Sequence, residues 1–190
     1  DDVVPFLDAI RAASGIPILY VSHDLAEIAR LAQRIVVLNQ GRAVASGPIE
    51  DVLSDPAVVP FVGLRDAGAV LAGRIVGRAD DGLTKLETPA GALWVPDVAG
   101  APGSVARVRI PAQDVILSLH EPQNMSALNV LSVTVEQISS TGTGVMVGLK
   151  AGEARVLARI TERSAKAMGL SSGDAIYAIV KTTAISSELS

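Results

Sequence analysis

The hydrophobic pattern of the chain changes near Gly63, and this change limits the fold more than any other feature of the sequence. Before Gly63, apolar residues recur with helical spacing in some stretches and form short strand-like runs in others. After it, short alternating runs predominate, separated by Gly, Pro and Asp. We therefore predict a mixed architecture, in which an α/β segment is followed by an all-β tandem of small barrels.

Segment 1–62 is predicted to alternate helices and strands. Helices are predicted up to Gly15, from Leu25 to Ala32 and, as a short helix, from Pro48 to Leu53. Strands are predicted at Ile16–Val21, Arg34–Asn39 and Arg42–Ser46, with a turn at Gln40-Gly41 between the last two. A strand, a helix and a further strand in this order predict a parallel sheet with a crossover connection. Because two or three strands leave a sheet open at its edge, we expect this segment to belong to a larger domain.

The part of the chain after Gly63 contains a weak internal repeat. The matching stretches are Val70–Ile75 with Val130–Val135, and Gly103-Ser104 with Gly173-Asp174. Strands are expected at 69–78, 83–87, 92–96 and 104–119 of the first copy, and only the second copy contains a clear helix, Glu162–Met168. We predict two tandem barrels of the oligonucleotide/oligosaccharide-binding type, so that the chain divides into 1–62, 63–121 and 122–190.

Composition and charge exclude several kinds of function. Sixteen basic and 20 acidic residues give a net charge of −4, which argues against a nucleic acid or an anionic membrane surface as the main partner. The chain has no cysteine and only two histidines, His23 and His120, which are too few for a histidine-rich zinc site, so we expect no metal centre. The G-x-S-x-G motif of serine hydrolases is also absent from the sequence.

His23 lies between a predicted strand and a predicted helix, where open α/β sheets place their ligand-binding loops. The stretch Leu19–Glu27, followed by Ile35–Gly47 with its Gly-Arg-hydrophobic hairpin, resembles the C-terminal part of an ABC transporter ATPase domain. In that family the histidine at this position is the switch residue that approaches the γ-phosphate of the nucleotide. The resemblance implies that His23 is a catalytic residue of the complete ATPase, and that segment 1–62 is a remnant of that domain.

The parts that would bind a nucleotide do not occur in these 190 residues. The sequence has no G-x-x-x-x-G-K-[ST] phosphate loop, and it has neither the family's signature motif nor its acidic Mg²⁺-binding strand. The resemblance therefore implies that ATP and Mg²⁺ are bound only by a full-length parent, of which this chain is expected to be a fragment. These residues alone are expected not to hydrolyse ATP.

The second half carries a more specific signal. Three of its stretches occur in the order typical of a Mop (molybdenum-pterin-binding-protein-like) domain: Ser126-Ala127-Leu128-Asn129, Ala158–Ser164 and Lys181-Thr182-Thr183. They resemble the family's S-x-R-N opening, its A-x-I-T-x-x-S stretch and its K-[ST]-[ST] stretch. An ABC ATPase tail joined to such a domain resembles the ATP-binding subunit of a molybdate importer, whose regulatory domain is of the Mop/TOBE type.

Several residues of these stretches suit a tetrahedral oxyanion. Thr161 is predicted to be the N-cap of the helix at 162–168, with Ser164 at its third position, so that hydroxyls and free backbone N–H groups meet at one helix end. Lys181 supplies a cation beside the hydroxyls of Thr182 and Thr183. Together with the family's motifs, this implies molybdate or tungstate as ligand and the following oxyanion-binding set: Ser126, Asn129, Thr161, Ser164, Lys181 and Thr182.

Leu128 stands where the family has arginine, the residue whose charged fork best matches an oxyanion. Two functions therefore stay open at this point. In the first, the tail senses molybdate or tungstate during import; in the second, it is a structural, TOBE-type dimerisation module of an importer for a sugar or another anion. The resemblance implies a homodimer of the ATP-binding subunit, transmembrane permease partners, and a peripheral location on the cytoplasmic face of the inner membrane.

Overall fold

The computed structural model describes residues 4–63, 67–96 and 98–188. Its helices are α1 (Val4–Ser14), α2 (Leu25–Leu31), α3 (Ile49–Leu53), α4 (Val59–Val62) and α5 (Glu162–Met168). Its strands are β1 (Arg34–Asn39), β2 (Arg42–Pro48), β3 (Gly68–Arg78), β4 (Thr84–Thr88), β5 (Gly91–Val95), β6 (Val105–Pro111), β7 (Val115–Ser118), β8 (Asn129–Ser140), β9 (Val145–Ala151), β10 (Ala154–Ile160), β11 (Ala175–Val180) and β12 (Ser186–Glu188). Two 3-10 helices, Ala112–Asp114 and Thr182–Ala184, precede β7 and β12.

The hairpin of β1 and β2 is antiparallel, and its turn lies where the sequence predicts it, at Gln40-Gly41. Both turn residues have positive φ, 49° and 75°, which is the conformation of the commonest two-residue hairpin turn. α2 also begins where predicted, because the Asp24 carboxylate accepts hydrogen bonds from the backbone N–H groups of Ala26 (2.8 Å) and Glu27 (3.2 Å). These two local predictions are confirmed.

The strand predicted at Ile16–Val21 is wrong. These residues form no regular element, and the side chains of Leu19 and Val21 are 93% and 85% exposed. A strand needs a neighbour for its N–H and C=O groups, and no described segment pairs with this one. The predicted parallel sheet with a crossover is wrong for the same reason, since β1 and β2 pair only with each other. α3 begins at Ile49, one residue later than predicted, with Pro48 as its N-cap.

From residue 67 onward the chain forms two five-stranded antiparallel sheets that exchange their last strands. The first sheet has the order β5-β4-β3-β6-β12 and the second has the order β10-β9-β8-β11-β7. β12 pairs with β6, with Ser187 opposite Val108, while β7 pairs with β11, with Leu117 opposite Ala178. The single strand predicted at 104–119 is therefore two strands, because the chain crosses from one sheet to the other between them.

The two repeats agree in register as well as in strand order. β3 has a bulge between Ile75 and Gly77 opposite β4, and β8 has one between Val135 and Gln137 opposite β9. The residue before each bulge also makes the same two backbone hydrogen bonds, at 2.8–2.9 Å, to the turn that leads into the fourth strand of its repeat. Ile75 pairs in this way with Gly103-Ser104, and Val135 pairs with Gly173-Asp174. The predicted β-rich tandem is confirmed in this form.

Buried aliphatic side chains of both repeats form one continuous core. Its members with no exposed surface include Leu86, Leu93, Val108, Leu149 and Val156. Because each such side chain contributes about 1.5–3 kcal/mol when it is buried, the shared core joins the repeats into one unit. Within the ranges that the structure describes, no helix is long and apolar enough to cross a membrane.

The N-terminal segment is attached to the tandem by a charged side chain and by apolar packing. The Arg107 guanidinium on β6 donates a hydrogen bond to the Ala32 carbonyl at 2.8 Å and lies 3.4 Å from the Glu50 carboxylate. Val70 on β3 belongs to the apolar cluster that includes Ile35 of β1 and Ile49 of α3. The segment and the first sheet therefore share buried surface.

We predict that neither half of the tandem, 67–121 or 122–188, folds as a monomer. Each half alone lacks the fifth strand of its sheet, and its own last strand leads away to another sheet, so a second molecule must fill the open edge. Sedimentation with circular dichroism should show unfolded chains or dimers for each half, and a folded 1:1 complex after mixing. A folded monomer of either half would contradict the prediction.

Candidate oxyanion site

The candidate site lies where the chain crosses from the second sheet back to the first, at the 3-10 helix Thr182–Ala184. β11 ends at Val180, which pairs with Asn129 at the start of β8. Lys181 is the N-cap of the 3-10 helix, and its side chain is exposed. The register therefore brings Asn129, Lys181 and Thr182, three of the predicted residues, to one place.

Asn129 is only 1% exposed and joins the two repeats through its side-chain amide. Its Oδ1 accepts a hydrogen bond from the Trp94 backbone N–H at 2.7 Å, and its Nδ2 donates one to the Trp94 carbonyl at 2.9 Å. Trp94 lies on β5, the edge strand of the first sheet, so the amide occupies the place that a peptide group of a further strand would take. The Asn129 amide thus already has two backbone partners.

Thr182 contributes a hydroxyl whose bonding capacity is not used. Its Oγ1 is buried and has no hydrogen-bond partner in the part of the chain that the structure describes. A second cation, Lys85 of β4, holds its Nζ 5.8 Å from the centre of the Trp94 ring. Sequence reasoning missed Trp94 and Lys85, because they belong to the other repeat and only the tertiary fold brings β5 to Asn129. Ser126 is exposed in the stretch before β8.

Thr161 and Ser164 form a separate group at the opposite end of β8. Thr161 caps α5 as predicted: its Oγ1 accepts a hydrogen bond from the Ser164 N–H at 3.0 Å and lies 2.8 Å from the Ser164 Oγ. The next residue, Glu162, accepts a hydrogen bond from Ser140 at 2.7 Å. Ser140 is the last residue of β8 and Asn129 is the first. A single chain therefore brings the predicted residues into two groups rather than one.

His23 is exposed just before α2. Beside it, the hydroxyls of Tyr20 and Ser22 donate hydrogen bonds to the Glu27 carboxylate at 2.7 and 2.9 Å. The bond to Glu27 holds the proton on the Tyr20 hydroxyl and raises the pKa of that group. Among the described residues, no group of three histidine, aspartate or glutamate side chains could hold a metal ion.

Residues 125–186 match the TOBE domain family. Proteins described as molybdenum import ATP-binding protein ModC, from Mesorhizobium japonicum and Rhizobium johnstonii, are 42% and 39% identical to the chain over 95% and 97% of its length. The match covers 50% and 52% of those two proteins, so the chain spans about half the length of these relatives. The corresponding protein from Methylococcus capsulatus is 36% identical over 97% of the chain and 52% of its own length.

A solved structure has a similar fold. It is that of the cytoplasmic molybdate-binding protein ModG with molybdate bound, and it superposes with a TM-score of 0.58 at 18% sequence identity. The match covers 64% of this chain and 95% of ModG. At this identity the likeness shows the fold alone.

Residues 125–186 therefore match the TOBE domain family, and they lie within a β-rich part that has a ModG-like fold. Over nearly all of its length it is homologous to the molybdenum import ATP-binding proteins called ModC. The resemblance to the ATP-binding subunits of molybdate importers, drawn from sequence motifs alone, is confirmed by these relatives.

We predict that Asn129→Ala lowers the free energy of unfolding by about 1–3 kcal/mol, because it leaves the Trp94 N–H and carbonyl without their partners. Trp94 is the only tryptophan, so urea unfolding followed by tryptophan fluorescence reports directly on this contact. Asn39→Ala, at the exposed end of β1, is the control and should change stability by less than about 0.5 kcal/mol. Equal stability of the two variants would contradict the role of the Asn129 amide.

Proposed function

We propose that the chain is the C-terminal part of the ATP-binding subunit of a molybdate importer, and that its tandem is a regulatory module that binds molybdate or tungstate. The observation that carries this proposal is the group of Lys181 and the unpartnered Thr182 hydroxyl, in a fold shared with a molybdate-binding protein. Similarity to ModC proteins over 95% of the chain supports the transport context.

The chemistry of this group suits a tetrahedral dianion. Lys181 offers three N–H donors and a positive charge, and Thr182 and Thr183 add hydroxyls on the adjoining 3-10 helix. Thr182 is partly exposed, so rotation about its χ1 turns the hydroxyl toward a bound anion. The anion then supplies the acceptor that this hydroxyl lacks, which removes the cost of an unsatisfied polar group.

A second copy of the chain completes the site in this proposal. The group at the start of α5 has the hydroxyls of Thr161 and Ser164, and it lies far along β8 from Lys181. Arg159 and Arg163 stand two residues before and two residues after Thr161 in the sequence. In a homodimer of the ATP-binding subunit, this group of one chain faces the partner's Lys181. The two arginines would then supply the charge that Leu128 does not.

The remaining roles concern the parent protein. Segment 1–62 would belong to its ATPase domain, ATP and Mg²⁺ would be bound by the rest of that domain, and His23 would be the switch residue. Arg107, which joins the Ala32 carbonyl and Glu50 to β6, would couple this segment to the regulatory tandem. Transmembrane permease subunits would be the partners, with the protein peripheral on the cytoplasmic face of the inner membrane.

Leu128 is the observation that favours a second candidate, a structural dimerisation module for an importer of a sugar or another anion. Its side chain is 53% exposed, at the position where the family's arginine would reach an oxyanion. The relatives described as molybdenum import proteins favour the first candidate. Direct titration separates the two.

We predict that the chain binds molybdate and tungstate but not sulfate or maltose in isothermal titration calorimetry. Lys181→Ala should weaken tungstate binding at least about tenfold, because the cation beside the hydroxyls is lost. Lys150→Ala, which removes an exposed lysine from β9, is the matched control and should bind as the native chain does. If the folded native chain binds neither oxyanion, the sensing candidate is wrong and the structural candidate is favoured.

We further predict that Leu128→Arg tightens tungstate binding by about 1.5–3 kcal/mol, or roughly ten- to a hundredfold, because it restores a charged donor at this position. Calorimetry gives the affinity, and a thermal melt confirms that the variant is folded. An unchanged isotherm for the folded variant would show that residue 128 does not reach the bound anion.

A further inference from the structure

The candidate oxyanion site has a counterpart in the first repeat. The 3-10 helix Ala112–Asp114 lies where the chain crosses from the first sheet to the second, just as Thr182–Ala184 does for the crossing in the other direction. The matching strand registers give the counterparts as Ala69 for Asn129, Pro111 for Lys181, Ala112 for Thr182 and Leu157 for Trp94.

The counterpart position has none of the polar chemistry of the site. Ala69, Ala112 and Leu157 are completely buried and apolar, and Pro111 has neither a charge nor an N–H group. These four residues would offer an anion neither a cation nor a hydroxyl. Burial of its charge there would be strongly unfavourable.

Val59 of α4 packs at this position instead. Val59 is 2% exposed and forms a buried apolar cluster with Ala67, Ala112, Met146 and Leu157. Ala67 and Ala112 belong to the first repeat, whereas Met146 and Leu157 belong to the second, so Val59 contacts the junction of the two. A threonine in place of the completely buried Ala112 would place its hydroxyl beneath this cluster of apolar side chains.

A second contact fixes the same segment. Pro56 lies over Gly148 on β9, so closely that a Cβ on Gly148 would come within 2.9 Å of the Pro56 Cγ. The absence of a side chain at residue 148 is therefore what allows the Pro56 ring to pack directly on the backbone of β9. The stretch from Pro56 to Val59 rests on the second repeat at two points.

We propose that the counterpart position in the first repeat is an intramolecular docking site for α4, and that oxyanion binding is confined to the second repeat. The confinement of oxyanion binding to the second repeat rests on the proposed function, whereas the docking of α4 depends only on the packing of Val59 and Pro56. The two crossings of the tandem then serve different purposes: one binds the ligand and the other holds the N-terminal segment.

Tungstate titration tests the confinement. The native chain should bind no more than one tungstate per chain, and Lys181→Ala should weaken all of the binding together. A second tungstate per chain, or a class of sites unaffected by Lys181→Ala, would overturn the proposal. If the native chain binds no tungstate, the proposed function fails, and the docking of α4 is tested by hydrogen exchange alone.

Hydrogen exchange measured by mass spectrometry tests the docking. Val59→Asp should speed the exchange of residues 49–62 at least tenfold, while β3 to β11 keep their protection. Phe61→Asp, at a position that is 46% exposed, is the control and should not speed this exchange. Gly148→Ala should also speed the exchange of residues 49–62, because the added Cβ displaces Pro56. Gly77→Ala is its control, since a Cβ at residue 77 meets no atom within 4 Å. Exchange that matches the controls, or that rises equally in both sheets, would overturn the docking site.

Discussion

The exchange of last strands between the two sheets is the constraint on which the rest of the structure depends. β12 completes the first sheet and β7 completes the second, so each repeat needs the other to satisfy the backbone groups of its fourth strand. The exchange also brings the apolar faces of both repeats into one core. The chain crosses between the sheets twice, and a 3-10 helix lies at each crossing.

Side chains give the two crossings different properties on the same backbone plan. At one crossing Lys181 and Thr182 stand beside Asn129, whose amide binds the free edge of β5. At the other, Ala112 lies in an apolar cluster with Val59. The two repeats thus share one architecture, but equivalent positions are polar in one copy and apolar in the other. The chemistry of a site is set by its residues rather than by the fold.

Local patterns in the sequence predicted most of the β-strands, the Gln40-Gly41 turn and the cap at Thr161, since each depends on neighbouring residues alone. The exchange was beyond such reasoning, because alternation of apolar residues identifies a strand but not its partner. Ile16–Val21 shows the same limit: its composition is that of a buried strand, yet it has no described neighbour and is exposed. For the candidate site, the motifs predicted Lys181 and Thr182, which are adjacent in the chain. The contact of Asn129 with Trp94 depends on how one repeat packs on the other, and Thr161 lies at the far end of β8.

The pairing of β12 with β6 has a consequence for the order in which the chain folds. A ribosome synthesises β3 to β6 long before it reaches Ser186, so the nascent first sheet must wait with the edge of β6 unpaired. The second sheet finds its exchanged strand, β7, already made and can close as soon as β11 emerges. The repeat that is translated first is therefore the one that is completed last, and during synthesis its open edge is the part of the molecule most exposed to pairing with the wrong strand.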